Sequence, residues 1–272
     1  MLPMRKQILI IDFMNVWSRY YYIFGEDTPS IFRTKFMEKL VNSKYNDIFV
    51  ILEGTNSLEW AKKYYDQYKA NRSNKNSKPL TSALGTLKSY AREFSPRVKF
   101  FRNNNCEADH VISALVAQYH AKSDIFILSN DKDLLQLMAY PSVKVGIKFT
   151  GNVDIIPPTK VESLKRFSIP SLDSFDKIIK YRIFKGDKSD NIPPAIPRMQ
   201  TALITKLINA CWDKQEELSE EILDSMESML TGSILGERFR TGREALMRNW
   251  NLMQLTYLQP SSILKETMIL GA

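Results

Sequence analysis

Thiol and imidazole are scarce in this chain. Cys106 and Cys211 are its two cysteines and His110 and His120 its two histidines, in 272 residues. Neither cysteine sits at a metal-type spacing, so a reducing cytoplasm is the simplest compartment to expect. No apolar run approaches the ~20 residues that a membrane span needs, which argues against a membrane protein. The start, "MLPMRKQILIIDF", runs straight into a strand-like stretch and lacks the small-residue cleavage site of a signal peptide. No internal repeat is visible, and no serine or cysteine triad offers itself as a protein nucleophile. Glycine, too, is missing over a long span, from 187 to 231.

What is present suits one large domain, or a domain with a smaller appendage, that buries an ordinary core: 44% of the residues are hydrophobic and 25% charged. The net charge of +8 is unevenly spread. Lys and Arg outnumber Asp and Glu by 17 to 9 in residues 1–100 and by 14 to 11 in 101–200, whereas 201–272 has 7 against 10. Three acidic clusters, "EADHVI" (107–112), "SNDKDL" (129–134) and "GDKSDN" (186–191), lie inside this basic region. A basic field around a local acidic site fits a polyanionic substrate held beside metal ions. The plainer reading is a soluble basic protein without such a partner.

The runs "QILIIDF" (7–13), "DIFVILE" (47–53), "RVKFF" (97–101) and "DIFILSN" (124–130) read as buried strands of a parallel sheet, with "VKVGIK" (143–148) as a further strand on an edge. Between them lie helical patterns, such as Ala108, Val111, Ile112, Leu115 and Tyr119 at the spacing of one helix face. The fold class expected is therefore α/β, a mostly parallel central sheet with helices on both faces. Asp12 ends the first run, Glu53 the second, Asp131 and Asp133 follow the fourth, and Glu107 and Asp109 open a helix after the third. All six map to the carboxyl edge, where open α/β sheets bind ligands. An Asp at a strand end is by itself more often a turn or a helix cap, and that is the plain reading of Asp12 alone.

Six carboxyls in one crevice raise one another's pKa unless something compensates. Hard divalent cations with oxygen ligands are the usual compensation, so two Mg²⁺ ions are the expected cofactors, with Mn²⁺ as a substitute.

The series "IIDFMN", "YKANR", "EAD", "SNDKDLLQL" and "GDKSDNIP" resembles, in order and spacing, the flap-endonuclease-like 5′-nucleases over roughly residues 7–210. Within that family the likeness is to the T-even phage RNase H type, through "SLEWAKKYYDQYKANR" and a C-terminal part without the family's glycines. The resemblance implies a PIN-like core over 1–180 with a basic arch at about 56–95. It further implies a helical region over 181–272, carrying a modified helix–turn–helix element for duplex DNA. By the same resemblance Asp12, Glu53, Glu107, Asp109 and Asp131 surround a first metal ion, and Asp133, Asp187 and Asp190 a second, weaker one. Two positions depart from the pattern. Glu53 stands where the family has Asp, one methylene longer. His110 stands where the family often has a second Asp, which removes a charge; its plain reading is a hydrogen-bonded residue at the rim, and a softer metal or a phosphate is the alternative.

Residues 62–78 hold six Lys or Arg against one Asp, interleaved with Tyr64, Tyr65 and Tyr68. Such a segment suits nucleic acid, with Lys62, Lys63 and Lys75 on phosphates and Tyr65 and Tyr68 stacking on unpaired bases. The plain alternative is a solvated loop. The resemblance makes Lys69 and Arg72 the cations on the scissile phosphate. In the glycine-poor stretch after "GDKSDNIP", Arg198 and Lys206 are expected to reach duplex phosphates through side chains. Residues 213–229 read as a solvated acidic helix facing away from DNA, 239–255 as a closing helix, and 258–272 carry no reading beyond exposed apolar residues as a candidate contact for a replication partner.

The function expected is a divalent-metal-dependent 5′-3′ exonuclease or flap endonuclease on branched DNA and RNA–DNA primers, acting as a monomer in a bacterial cytoplasm. A single-strand-binding protein or a sliding clamp is the candidate protein partner. Two other readings are a structure-specific DNA-binding protein with lost catalysis and a smaller PIN-type ribonuclease; the second does not account for the "GDKSDNIP" region or the length.

Overall fold

Branched apolar residues fill the N-terminal run, and the strand they form, β1 (Lys6–Asp12), is buried on both faces. Ile8 and Ile10 point into one core, Leu9 and Ile11 into another, the two-residue period of a central strand. The computed structural model describes residues 5–72, 77–149, 152–156, 169–170, 172–256 and 259–270.

β1 pairs in parallel with β2 (Asp47–Leu52) on one side and with β4 (Ser123–Leu128) on the other. β3 (Val98–Arg102) extends the parallel sheet beyond β2, and β5 (Val143–Phe149) extends it beyond β4. Two outer strands run antiparallel: β6 (Asn152–Ile156) beside β5, and β7 (Met268–Leu270) beside β3. The order is β6-β5-β4-β1-β2-β3-β7. β5 is thus an interior strand, not the edge expected from its sequence. Residues 268–270, expected to carry nothing but exposed apolar side chains, complete the sheet; three residues are too few for a periodic signal.

Helices cover both faces. α1 (Phe13–Phe24) is followed by the short α2 (Thr28–Phe32), a π-helical turn at Arg33–Met37, α3 (Glu38–Val41) and, after β2, α4 (Glu59–Lys62). α5 (Ser77–Phe94) joins α1 on one face, where Phe13, Trp17, Phe32, Leu87 and Tyr90 cover Leu9, Ile11, Ile48 and Val50. Part of the span expected as an arch is therefore core, because Leu87, Tyr90, Ala91 and Phe94 are buried. On the other face lies α6 (Ala108–Tyr119), with Val111, Ile112 and Leu115 against Ile8, Ile10, Phe49 and Ile51.

That second core continues into α7 (Lys177–Lys185), α8 (Thr201–Cys211), α9 (Glu220–Ser228) and α10 (Ile234–Met253). Trp250, Leu252 and Met253 are buried in it, as expected of a closing helix. α9 is not simply solvated: Ile222, Leu223 and Met226 face the core, while Glu220, Asp224 and Glu227 pair with Arg243 of α10. Each buried aliphatic side chain contributes roughly 1.5–3 kcal/mol, so this packing fixes the helices to the sheet. α11 (Pro260–Lys265) leads into β7. Among the described residues no helix is long and apolar enough to cross a membrane.

Candidate active site

Asp12 closes β1 and opens α1. Its carboxylate accepts a hydrogen bond from the Asn15 amide at 3.3 Å and another from Ser129 Oγ at 2.7 Å. It is a helix cap and a site acid at once, because a strand that turns directly into a helix at the carboxyl edge needs its cap there. Burial pushes its pKa up to about 7, with the neighbouring Asp131 and Glu53 adding to the rise.

Glu53 follows β2 and reaches the start of α6, where its carboxylate accepts from the Ala108 amide at 3.4 Å. The added methylene thus spans to a helix N-terminus, which favours negative charge. Burial nevertheless raises its pKa. Behind it, Gly54 touches the 103–106 turn so closely that a Cβ there would lie 2.3 Å from the Asn103 carbonyl oxygen. Only glycine fits at 54.

Glu107 caps α6 and is 4% exposed. It accepts from the Tyr68 hydroxyl at 2.8 Å and pairs with Lys69 Nζ. Burial, then Asp109, raises its pKa to about 7. For Asp109 burial acts in the same direction but His110 outweighs it and holds the carboxyl below the usual range. His110 is 5% exposed, its Nδ1 3.2 Å from Asp109 and its ring edge-on to Trp60, with centroids 4.4 Å apart. It is therefore a buried partner of Asp109 rather than a residue at the rim. Burial opposes its charged form, yet Asp109 and Glu107 raise its pKa. Ligand atoms of Glu107, Asp109 and His110 lie within 4.8 Å of one another.

Asp131 stands at the mouth, partly open to solvent, and desolvation of its carboxyl on the protein side, then Asp109, pushes its pKa up to about 6. Asp12, Glu53, Glu107, Asp109 and Asp131 line one cavity of about 650 Å³ together with Lys69 and Arg72. Asn15 and Arg19, one helical turn apart on α1, line it too. Sequence reasoning missed both and Ser129; the i, i+4 spacing of 15 and 19 was the available signal.

Asp133, Asp187 and Asp190 do not line this cavity. Asp133 and Asp187 both pair with Arg182 of α7, itself 6% exposed. Asp187 also caps the 3₁₀ turn Lys188–Asp190, accepting from the Ser189 amide at 2.7 Å. Burial would raise its pKa, but Ser189 and Arg182 hold it below the usual range. Asp190 pairs with Arg72, lies 3.4 Å from the Tyr68 hydroxyl and 3.9 Å from Lys69 Nζ.

The 67–72 turn is stapled to the "GDKSDN" loop. The Lys69 amide donates to the Asp190 carbonyl at 2.9 Å, Asn191 Nδ2 to the Gln67 carbonyl at 2.7 Å, and Asn71 Nδ2 to the Lys188 carbonyl at 2.9 Å. This places Lys69 and Arg72 at the acids. Lys69 and Asn191 both adopt left-handed backbone, with φ of 55° and 59°. Burial disfavours the Lys69 ammonium, but Glu107 and Asp190 raise its pKa. Tyr68, expected as a stacking platform, is buried with its hydroxyl on Glu107 and presents no open ring face here. Tyr65 is half-buried under the Arg248 guanidinium, 4.8 Å from its ring centre. Lys62 and Lys63 are exposed, and Lys75 lies outside the described residues. Arg198, in left-handed backbone with φ 61°, is exposed before α8, and Lys206 is exposed on α8.

A family model described as the N-terminal resolvase-like domain of 5′-3′ exonucleases matches residues 7–164. DNA polymerase I of Bacillus caldotenax is 25% identical over 250 residues, which is 89% of this chain and 27% of the polymerase. The chain thus spans about a quarter of that relative's length. A 5′-3′ exonuclease of Mycoplasmopsis pulmonis is 23% identical over 269 residues, 96% of this chain and 84% of that one. Among solved structures, the phage T5 5′-exonuclease with zinc bound superposes with a TM-score of 0.70 at 15% identity, covering 96% of this chain and 92% of the other. The phage T5 flap endonuclease in a pseudo-enzyme–product complex with DNA and metal ions gives 0.69 at 16% identity with the same coverage. These superpositions share the fold seen here, and the family model spans more than half of the chain: the protein belongs to the 5′-3′ exonuclease family.

Proposed function

We propose that the protein is a divalent-metal-dependent 5′-3′ exonuclease and flap endonuclease acting on branched DNA and on RNA–DNA primers. The observation that carries this reading is the meeting of five carboxylates with Lys69 and Arg72 in one cavity at the carboxyl edge of the sheet. The donors of Asp12, Glu53, Glu107, Asp109 and Asp131 are all carboxylate oxygens, and the pKa of Asp12, Glu107 and Asp131 is raised; this set fits a hard cation, Mg²⁺ or Mn²⁺. A bound divalent ion supplies charge compensation and polarises a phosphate oxygen. Hydrolysis would add water across a phosphodiester and leave a 5′ phosphate.

The chain's own residues divide the remaining work. Ser129 and Asn15 fix the orientation of Asp12. Tyr68 fixes Glu107, and the staple between the 67–72 turn and the 187–191 loop fixes the backbone of Lys69 and Arg72. Those two cations, held by Glu107 and Asp190 here, would turn to the scissile phosphate, where charge develops in the transition state. Arg198 and Lys206, with exposed Lys62 and Lys63, would hold the duplex and the single strand.

A structure-specific binding protein of the same fold is the second reading, favoured by the arginine-paired state of Asp133, Asp187 and Asp190. The test is cleavage of a 5′-labelled flap duplex and of a matching RNA–DNA hybrid, with Mg²⁺, Mn²⁺ or chelator, beside Asp131→Asn. Metal-dependent cleavage lost in Asp131→Asn is the expected result. Tight structure-selective binding with no cleavage in either metal would replace the nuclease by the binding protein.

A further inference from the structure

The two groups of acids differ in how their charge is met. Around Asp12, Glu53, Glu107, Asp109 and Asp131 the partners are mostly neutral donors: Ser129, the Asn15 and Ala108 amides and the Tyr68 hydroxyl. The cations among them are Lys69 on Glu107 and His110 on Asp109, with Arg182 acting on Asp131 without an ion-pair contact. Around Asp133, Asp187 and Asp190 the partners are guanidinium groups, Arg182 on the first two and Arg72 on the third. Two guanidinium groups thus meet three carboxylates in the second group, whereas most of the charge of the first is left to neutral donors.

Arg182 differs from a mobile surface arginine. It is 6% exposed on α7, between Tyr181 and Ile183, both buried, and Ile178 and Ile179 anchor the same helix. A guanidinium keeps its proton at any ordinary pH and presents a planar fork that suits two carboxylates together. A divalent ion entering between Asp133 and Asp187 would have to displace that fork from both carboxylates at once. Pulling a buried charge away from its partners costs far more than the pair itself contributes.

We propose that the Arg182 guanidinium is a resident cation standing where a second divalent ion would bind between Asp133 and Asp187, so that the protein holds one divalent ion tightly. This rests on the metal-dependent reading above, in which the Asp12–Asp131 group takes the first ion. It assigns Arg182 as a positioning residue that keeps Asp187 and the loop to Asp190 in place without metal.

The test counts ions and does not depend on cleavage. Metal-stripped protein is titrated with Mn²⁺, and the free ion is followed by electron paramagnetic resonance. Wild type is expected to take up one tight ion, and Arg182→Lys, which keeps the charge, also one. Arg182→Met, which keeps the length and removes the charge, is expected to take up two, with circular dichroism reporting that it is folded. Two ions of comparable affinity in wild type would overturn the proposal, as would a folded Arg182→Met that still binds one. If Arg182→Met does not fold, the wild-type and Arg182→Lys counts decide: one ion in each supports the proposal and two in either overturns it. No bound ion in wild type would instead remove the metal-dependent reading itself, and this proposal with it.

Discussion

Removing divalent metal at two pH values tests the site through stability alone. Asp12 and Glu107 have pKa values near 7 in the folded protein, against 3.8 and 4.5 for the unperturbed groups. Between pH ~4 and ~7 the folded chain therefore binds more protons than the unfolded chain, and stability falls as pH rises. The contribution of these groups is complete below their unfolded values and is lost as pH climbs through their folded ones. His110, also raised, acts with the same sign. Asp109 and Asp187 act with the opposite sign, but being held below the ordinary range they are finished changing before pH 5. Each group titrates about two pH units above pH 5, and one pKa unit corresponds to about 1.4 kcal/mol, so from pH 5 upward Asp12 and Glu107 together lose on the order of 5 kcal/mol. At roughly 2–4 °C per kcal/mol, metal-free protein should lose on the order of 10 °C in Tm between pH 5 and pH 8. A bound ion answers the same charge and needs both carboxyls deprotonated, so its affinity rises over this window. At a hundredfold excess over Kd it adds about 2.7 kcal/mol. Scanning calorimetry in chelator and in Mn²⁺ at pH 5.5 and pH 8 reads both effects. The gain in Tm from Mn²⁺ should be small at pH 5.5 and large at pH 8. An equal gain at both, or a metal-free Tm that rises across the window, would refute the reasoning.

Gly54→Ala puts a methyl group 2.3, 2.7 and 2.9 Å from the carbonyl oxygens of Asn103, Cys106 and Asn104. It should cost about 3 kcal/mol, seen as a drop in Tm of roughly 6–12 °C, and weaken Mn²⁺ binding because the same turn carries Glu107. An unchanged Tm would show that the turn yields freely. Tyr68→Phe removes the hydroxyl on Glu107 and Asp190 while keeping the ring, so Mn²⁺ affinity should fall by roughly 10-fold with single-strand binding in chelator little changed. Unchanged Mn²⁺ affinity with weakened single-strand binding would return Tyr68 to a base-contacting role.

Much of the site could be read in the sequence because strand ends and helix starts carry it. Asp12, Glu53, Glu107, Asp109 and Asp131 each adjoin a β-rich run or a helix start, and the carboxyl-edge rule brings such positions together. The interior strands announced themselves through dense Ile, Val and Phe. Long-range pairing was not legible. Nothing local in "YRIFKGD" says that Arg182 turns back to Asp133, nothing in "YKANR" says that Tyr68 is buried under Glu107, and the three residues of β7 have too little pattern to reveal an edge strand. His110 misled for a related reason. Its place on the helix was plain, but whether that face meets solvent or Trp60 depends on α4, about fifty residues earlier.

The carboxylates of the cavity arrive from separate stretches of chain: the ends of β1 and β2, the start of α6 and the turn after β4. Parallel neighbours cannot be joined by a tight turn, so these ends meet late, once long connections have closed. Mutual repulsion is therefore absent from the early collapsed chain and switches on as the sheet registers. Divalent ion present during refolding would act on that last stage, speeding the closing of the sheet and leaving the formation of α1, α5 and α10 untouched. The acidic edge then works as a checkpoint on the order of assembly as well as a place for chemistry.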